Sequence, residues 1–358
     1  MLFGLFGKVE ASQPRRLSGI EAGRGIAAVL VILYHTVLHL NQATAVPALK
    51  AVLQFGHAGV DFFFVISGFI IFFVHSADID RPEQIRRYAR QRFTRLMPTY
   101  WVALALAMVM AALGSHGMPS TATFLRSFTL LPLDGELLVG VAWTLKFEVL
   151  FYLIFAVLIV SRHAGLTVLA AWLAGIVTMA GQEGEGLLPA MVFSPYNLEF
   201  LFGIAAAWLF RSGAISSPRL VLTLGLGAFG LASGLENMAL LDGYGTTARF
   251  AYGLPSALIV LGLAEAERRN LLRVPTPLTI LGSASYSLYL FHIPCIGVAW
   301  QVMLLTKLNL HLPPFPQFVL LALSGILGGL VMWAVVERPL IHMLRQRKRP
   351  GLNPLPAG

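Results

Sequence analysis

Residues 20–40 read IEAGRGIAAVLVILYHTVLHL. The run matches the ~20 apolar residues that cross a bilayer core, and it carries two residues that such a helix rarely holds. An arginine in hydrocarbon is costly and is kept where it faces a bundle interior or a wet cavity, so Arg24 marks a candidate functional position. His35 follows eleven positions later. At about 100° and 1.5 Å per residue, the two side chains share a helix face and lie roughly 16 Å apart along the axis. One helix therefore offers a fixed cation at one depth and a titratable imidazole at another.

The rest of the chain extends that reading. Of 358 residues, 57% are hydrophobic and 12% charged, about half the ~25% charged content of a soluble domain, and mean hydropathy is +0.74. Apolar runs predict ten membrane spans near 19–40, 58–75, 98–114, 141–161, 165–181, 195–210, 220–234, 249–264, 277–297 and 316–335, hence an all-α polytopic helix bundle. No hydrophilic stretch is long enough for a second folded unit. Residues 1–340 read as one transmembrane domain and 341–358 as a basic cytoplasmic tail without fixed structure. The first run lacks a small-residue cleavage site and reads as a retained helix.

Basic residues give the orientation. One set of connections holds Lys8, Arg15 and Arg16, the six arginines from Arg81 to Arg95, Arg162, Arg211, Arg219, Arg268, Arg269, Arg273, Arg338 and the tail cations. The other set holds Lys50, Arg126 and Lys307, with Arg249 at a span end. This asymmetry predicts both termini in the cytoplasm. It also accounts for the net charge of +9 without nucleic acid, and leaves Arg81–Arg90 facing anionic lipid headgroups. Cys295 is the single cysteine, which excludes an intramolecular disulfide and a cysteine-based zinc site.

Depth sorts the intramembrane polar groups into two layers. The outer third is expected to hold His35, Asp61, Glu148, Glu199 and His292, and the inner side Arg24, Arg92 and Arg95. Thr144, Glu148 and Tyr152 recur at i, i+4 and i+8, and Ser285, Tyr289 and His292 at i, i+4 and i+7, so each set forms one polar stripe. A histidine with a carboxylate partner, here Glu148 or Asp61, is the usual apparatus of general base catalysis. Clustered arginines suit phosphate, because the guanidinium fork donates to two oxygens. Together they point to a phosphate-bearing ligand entering from the cytoplasm and proton chemistry deeper in the membrane.

Competing chemistries are weaker. His35 and His39 make an HxxxH pair, but no third ligand has suitable spacing, so no metal is expected. Ser67 lies in SGF without a GxSxG elbow, and Gly68 reads as a close helix contact. A flippase or transporter of lipid-linked glycan would use the same groups as a proton relay, but it predicts related halves, and none is present. An assembly factor would have no need of His35.

Several segments, in order, resemble the membrane acyltransferase-3 family of bacterial polysaccharide O-acyltransferases: Arg24 with His35, GVDFFFVISGF at 59–69, RQRFTRLMPTYW at 90–101, WTLKFEVLFY at 143–152, LGSASYSLYLFHIP at 281–294 and VERPL at 336–340. NLEFLFGIAAA at 197–207 further resembles the exopolysaccharide-modifying branch. The resemblance implies a ten-helix bundle in the bacterial inner membrane, acetyl-CoA as donor, and a polysaccharide or lipid-linked oligosaccharide as acceptor. It makes His35 the leading catalytic residue, as base or transient acyl carrier, with Arg24 its companion and Arg92 and Arg95 a second basic pair. Ser67, Gly68 and Phe69 form a structural or functional turn in the family. Glu21 and Gly23 depart from the aspartate and leucine usual before the arginine. The short stretch after VERPL leaves no room for the extracytoplasmic esterase-like domain of many members.

Overall fold

The computed structural model describes residues 17–113, 117–133, 135–179 and 190–346. Lys8, Arg15 and Arg16, and the tail from 347, lie outside the described residues. Among the described residues, ten helical segments are long and apolar enough to cross a membrane, at the ten expected places. They are α1 (Ser18–Ala43), α2 (Gly59–His75), α3 (Ile85–Leu113), α4 (Trp143–Val160), α5 (Arg162–Met179), α6 (Asn197–Ser212), α7 (Pro218–Asn237), α8 (Thr246–Arg268), α9 (Thr276–Leu305) and α10 (Pro314–Met332). No strand occurs among the described residues. With no water in the bilayer core, backbone groups must be satisfied within each segment, and helices do this.

Two boundaries differ from expectation, and both shape the site. Pro98 was expected to open the third span, yet α3 begins at Ile85 and runs through it. A proline forfeits one hydrogen bond, which a membrane helix tolerates where its surroundings compensate. Arg92 and Arg95 are therefore carried on the shaft of a long helix, not on its end. At the carboxyl end, α10 passes through a π-turn at Trp333–Glu337 into α11 (Arg338–Gln346), so the helix continues past 340. Ile341 and Leu344 turn toward the interior, while Met343 is exposed. The π-turn points Glu337 inward, where it is 1% exposed.

Helix α1 packs on α9, α9 on α10, α2 on α6, and α7 on α8. Lipid tails are as apolar as leucine, so such contacts depend on close van der Waals fit and small residues. A Cβ on Gly68 would strike the Phe200 carbonyl of α6, and one on Gly203 the Val65 carbonyl of α2. These reciprocal glycines set the α2–α6 crossing. Gly25 and Gly282 do the same between α1 and α9. Phe200 then stacks between Phe64 and Phe151 at 4.7 and 4.6 Å, tying α2, α6 and α4 together. The start of α1 is pinned by Glu267, which accepts from the Ser18 and Gly19 N–H groups at 2.8 Å each. A carboxylate there satisfies orphan donors at a helix N-terminus and holds the depth of Arg24.

Candidate active site

A cavity of about 570 Å³ opens between α3 and α11 at the basic pole and runs inward between α1, α2, α4 and α9. Small-molecule and cofactor sites occupy the same size range, roughly 300–1,000 Å³. Arg90, Gln91 and Thr94 line its mouth; Arg24, Arg92, Arg95, Ser67, Glu148 and Tyr152 line its middle; Thr144, Tyr289 and Phe63 line its far end. The α4 stripe of Thr144, Glu148 and Tyr152 thus faces one space, as its spacing required. Ser285 and Tyr289 of the α9 stripe face it too.

The three arginines are not equivalent. Arg95 Nη1 donates to Glu337 Oε1 at 2.7 Å, and Glu337 also accepts from the Ser287 hydroxyl at 2.7 Å. That charge is neutralised within the fold. Arg24 and Arg92 have no ion pair or hydrogen bond among the described residues; Arg92 only lies over the Tyr152 ring at 5.8 Å. Two guanidinium groups without a direct partner in one cavity make a site for an anion with several oxygens.

Glu148 is not where depth sorting put it. It was expected beside His35, but it sits in the arginine-lined cavity, accepting from the Ser67 hydroxyl at 3.2 Å and from the Tyr152 hydroxyl. The long α3 brings Arg92 and Arg95 up to the level of Glu148, so the two layers merge there.

His35 and His292 lie beyond the cavity's far wall and do not line it. His292 Nε2 is 3.2 Å from His35 Nδ1, and their ring centroids are 4.9 Å apart. Tyr289, hydrogen-bonded to Thr144 and to the Val141 carbonyl, lines the cavity beside Phe63 and has its ring 6.1 Å from that of His292. The expected carboxylate partner of His35 is thus replaced by a second histidine. Asp61 is engaged elsewhere: Arg249 Nη1 donates to it at 2.5 Å and approaches Glu199 at 3.6 Å, all three side chains being at most 1% exposed. Arg249 lies over the Tyr196 ring at 4.0 Å and also donates to the Gly243 carbonyl.

A family profile for an acyltransferase domain matches residues 17–334. The chain belongs to the membrane acyltransferase-3 family. It is 30% identical over 305 residues to the exopolysaccharide production protein ExoZ of Rhizobium meliloti, an alignment covering 82% of this chain and 92% of that protein. It is 25% identical over 315 residues to BcsY of Komagataeibacter xylinus, assigned as a membrane-bound transacylase, covering 79% and 74% of the two chains. No solved structure matches.

This acyltransferase also contains polar groups that the sequence reading passed over. Arg249 looked like a stray outer cation. Its violation of the charge asymmetry was the available signal that it is buried against a carboxylate. His57 Nε2 contacts Glu236 Oε1 at 2.8 Å, and Glu236 accepts from the Tyr252 hydroxyl at 2.6 Å. A glutamate within the apolar run of α7 was the clue there. Tyr34, next to His35, shares a 2.5 Å hydrogen bond with Tyr244. Tyr244 lies outside the spans, and burial together with the Tyr34 hydroxyl pushes its phenol well above the ordinary value. A groove of about 210 Å³ lined by Tyr34, Val37, Leu38, Lys50, Gln54 and Tyr244 opens beside it, at the pole opposite the arginines.

Proposed function

We propose that this acyltransferase moves an acetyl group from acetyl-CoA to a sugar hydroxyl of an exopolysaccharide or of its lipid-linked precursor. The observation that carries the reading is the arginine-lined cavity, with two cations left without partners, ending one residue layer short of a paired histidine. The basic pole faces the cytoplasm, as the positive-inside asymmetry supports. Acyl-CoA would enter between α3 and α11, its phosphates on Arg24 and Arg92, with Arg90 at the mouth. Arg95 contributes field and shape, its own charge being held by Glu337. Ser67, Glu148 and Tyr152 supply polar contacts for the amide-bearing arm, and the thioester would lie toward Thr144 and Tyr289.

The acceptor hydroxyl would approach from the opposite pole, past Tyr34 and Tyr244, to His35. His35 would take the hydroxyl proton as the oxygen attacks the thioester carbonyl, then return it to the departing thiolate. Tyr289 and Phe63 would have to turn aside for the two substrates to meet. The names of ExoZ and BcsY support a glycan-modifying transacylase, and His35 stands next to Tyr34 of the opposite groove and in contact with His292, whose neighbour Tyr289 lines the arginine cavity. The test is the O-acetyl content of the cell's polysaccharide, measured by NMR, in wild type and His35→Ala. Acetylation should vanish in the variant. Unchanged acetylation, with the variant protein present in the membrane, would defeat the reading.

A further inference from the structure

Both nitrogens of His292 are spoken for, and their partners fix which carries the proton. Nδ1 lies 3.1 Å from the Leu288 carbonyl and 2.8 Å from the Tyr289 carbonyl. Carbonyls only accept, so Nδ1 bears the hydrogen. In a neutral imidazole the other nitrogen is then an acceptor, and His292 Nε2 faces His35 Nδ1 at 3.2 Å. His35 Nδ1 also lies 3.0 Å from the Val31 carbonyl, a second acceptor. With two acceptors around it, His35 Nδ1 must carry the hydrogen and share it. The reverse assignment would set lone pair against lone pair at three contacts. His292 is fully buried, so water does not compete for its Nε2.

We infer that His292 is the positioning residue of the reaction, orienting His35 with its basic lone pair on Nε2. The inference rests on His35 acting as base. In the transfer step, the acceptor oxygen forms the new C–O bond while its proton passes to His35 Nε2. The C–S bond then breaks, and the thiolate takes that proton from His35. While His35 is an imidazolium, its Nδ1–H is a charged donor, and its bond to the His292 lone pair strengthens. A neutral ring in this place stabilises the imidazolium less than a carboxylate would, and so lets it release the proton readily to the thiolate. This assigns to His292 the work that the sequence had led one to expect of Glu148 or Asp61.

The test uses membrane vesicles of the producing strain, radiolabelled acetyl-CoA and the endogenous glycan, with initial rates read across donor concentration. His292→Leu keeps bulk and removes the acceptor; His292→Gln restores a carbonyl oxygen at the reach of Nε2. His292→Leu should lower kcat by about tenfold to a hundredfold, part of the ~10²–10⁴ supplied by a positioned base, with KM for acetyl-CoA unchanged. His292→Gln should recover to within about threefold of wild type. Equal losses in the Leu and Gln variants at equal protein levels would overturn the proposal as mere packing. So would a raised KM with kcat intact. An inactive His35→Ala beside a fully active His292→Leu would keep the base reading and overturn this inference alone.

Discussion

The division of the arginines gives the sharpest test, because similar residues should fail in different ways. Arg95→Gln removes the partner of Glu337, a carboxylate 1% exposed and left with only Ser287. Breaking a buried pair costs about 3–5 kcal/mol. The Arg95 side chain is 32% exposed, so the low end applies. At about 2 °C per kcal/mol, 3 kcal/mol lowers the midpoint of thermal unfolding by roughly 6 °C. Arg24→Gln breaks no ion pair and removes a buried cation that stands in the field of Arg95 as well as of Glu148, so the midpoint should hold or rise. What it loses is a charged donor to the ligand, worth about 1.5–3 kcal/mol, or roughly ten- to 150-fold in Kd at about 1.4 kcal/mol per tenfold. The assay is thermal unfolding of detergent-solubilised protein with and without coenzyme A, together with direct binding of coenzyme A. The reasoning is refuted if Arg24→Gln destabilises the free protein as much as Arg95→Gln, or if it leaves coenzyme A affinity unchanged.

Three further outcomes follow from packing and burial. Gly68→Ala drives a methyl into the Phe200 carbonyl and should cost about 1–3 kcal/mol, whereas Gly227→Ala, with nothing nearby, should stabilise by about 0.5–1 kcal/mol; unfolding midpoints compare them. Arg249→Met strands Asp61 and should cost about 3–5 kcal/mol, seen as a collapse of folded yield in size-exclusion profiles. Glu199→Gln should cost less than about 1 kcal/mol, because the Glu199 carboxyl lies against that of Asp61 and an amide N–H in its place can donate to Asp61; a loss as large as that of Arg249→Met would refute the view of Arg249 as the group that holds this layer.

Much of the architecture was legible in the chain itself. Apolar runs of spanning length locate all ten helices, since a bilayer demands continuous, internally bonded segments and little else. Stripes on α4 and α9 were readable for the same reason: spacing on a helix fixes which side chains share a face. Gly68 was readable as a contact because only a missing Cβ admits a second backbone.

Partnership was another matter. Depth along each helix suggested that His35 meets Glu148 or Asp61, but depth says nothing about rotation around the bundle. Helix crossings at Gly68–Gly203 and Gly25–Gly282 set those rotations, and they hand Asp61 to Arg249, Glu148 to Ser67 and Tyr152, and His35 to His292. The continuation of α3 through Pro98 likewise could not be read from proline's local preference, because neighbouring helices decide whether one lost hydrogen bond is tolerated. The sequence by itself determined a ten-helix membrane acyltransferase with Arg24 and His35 on one helix. Only tertiary structure decided which arginines remain without a direct partner and what orients the histidine, because those depend on contacts between helices far apart in the chain.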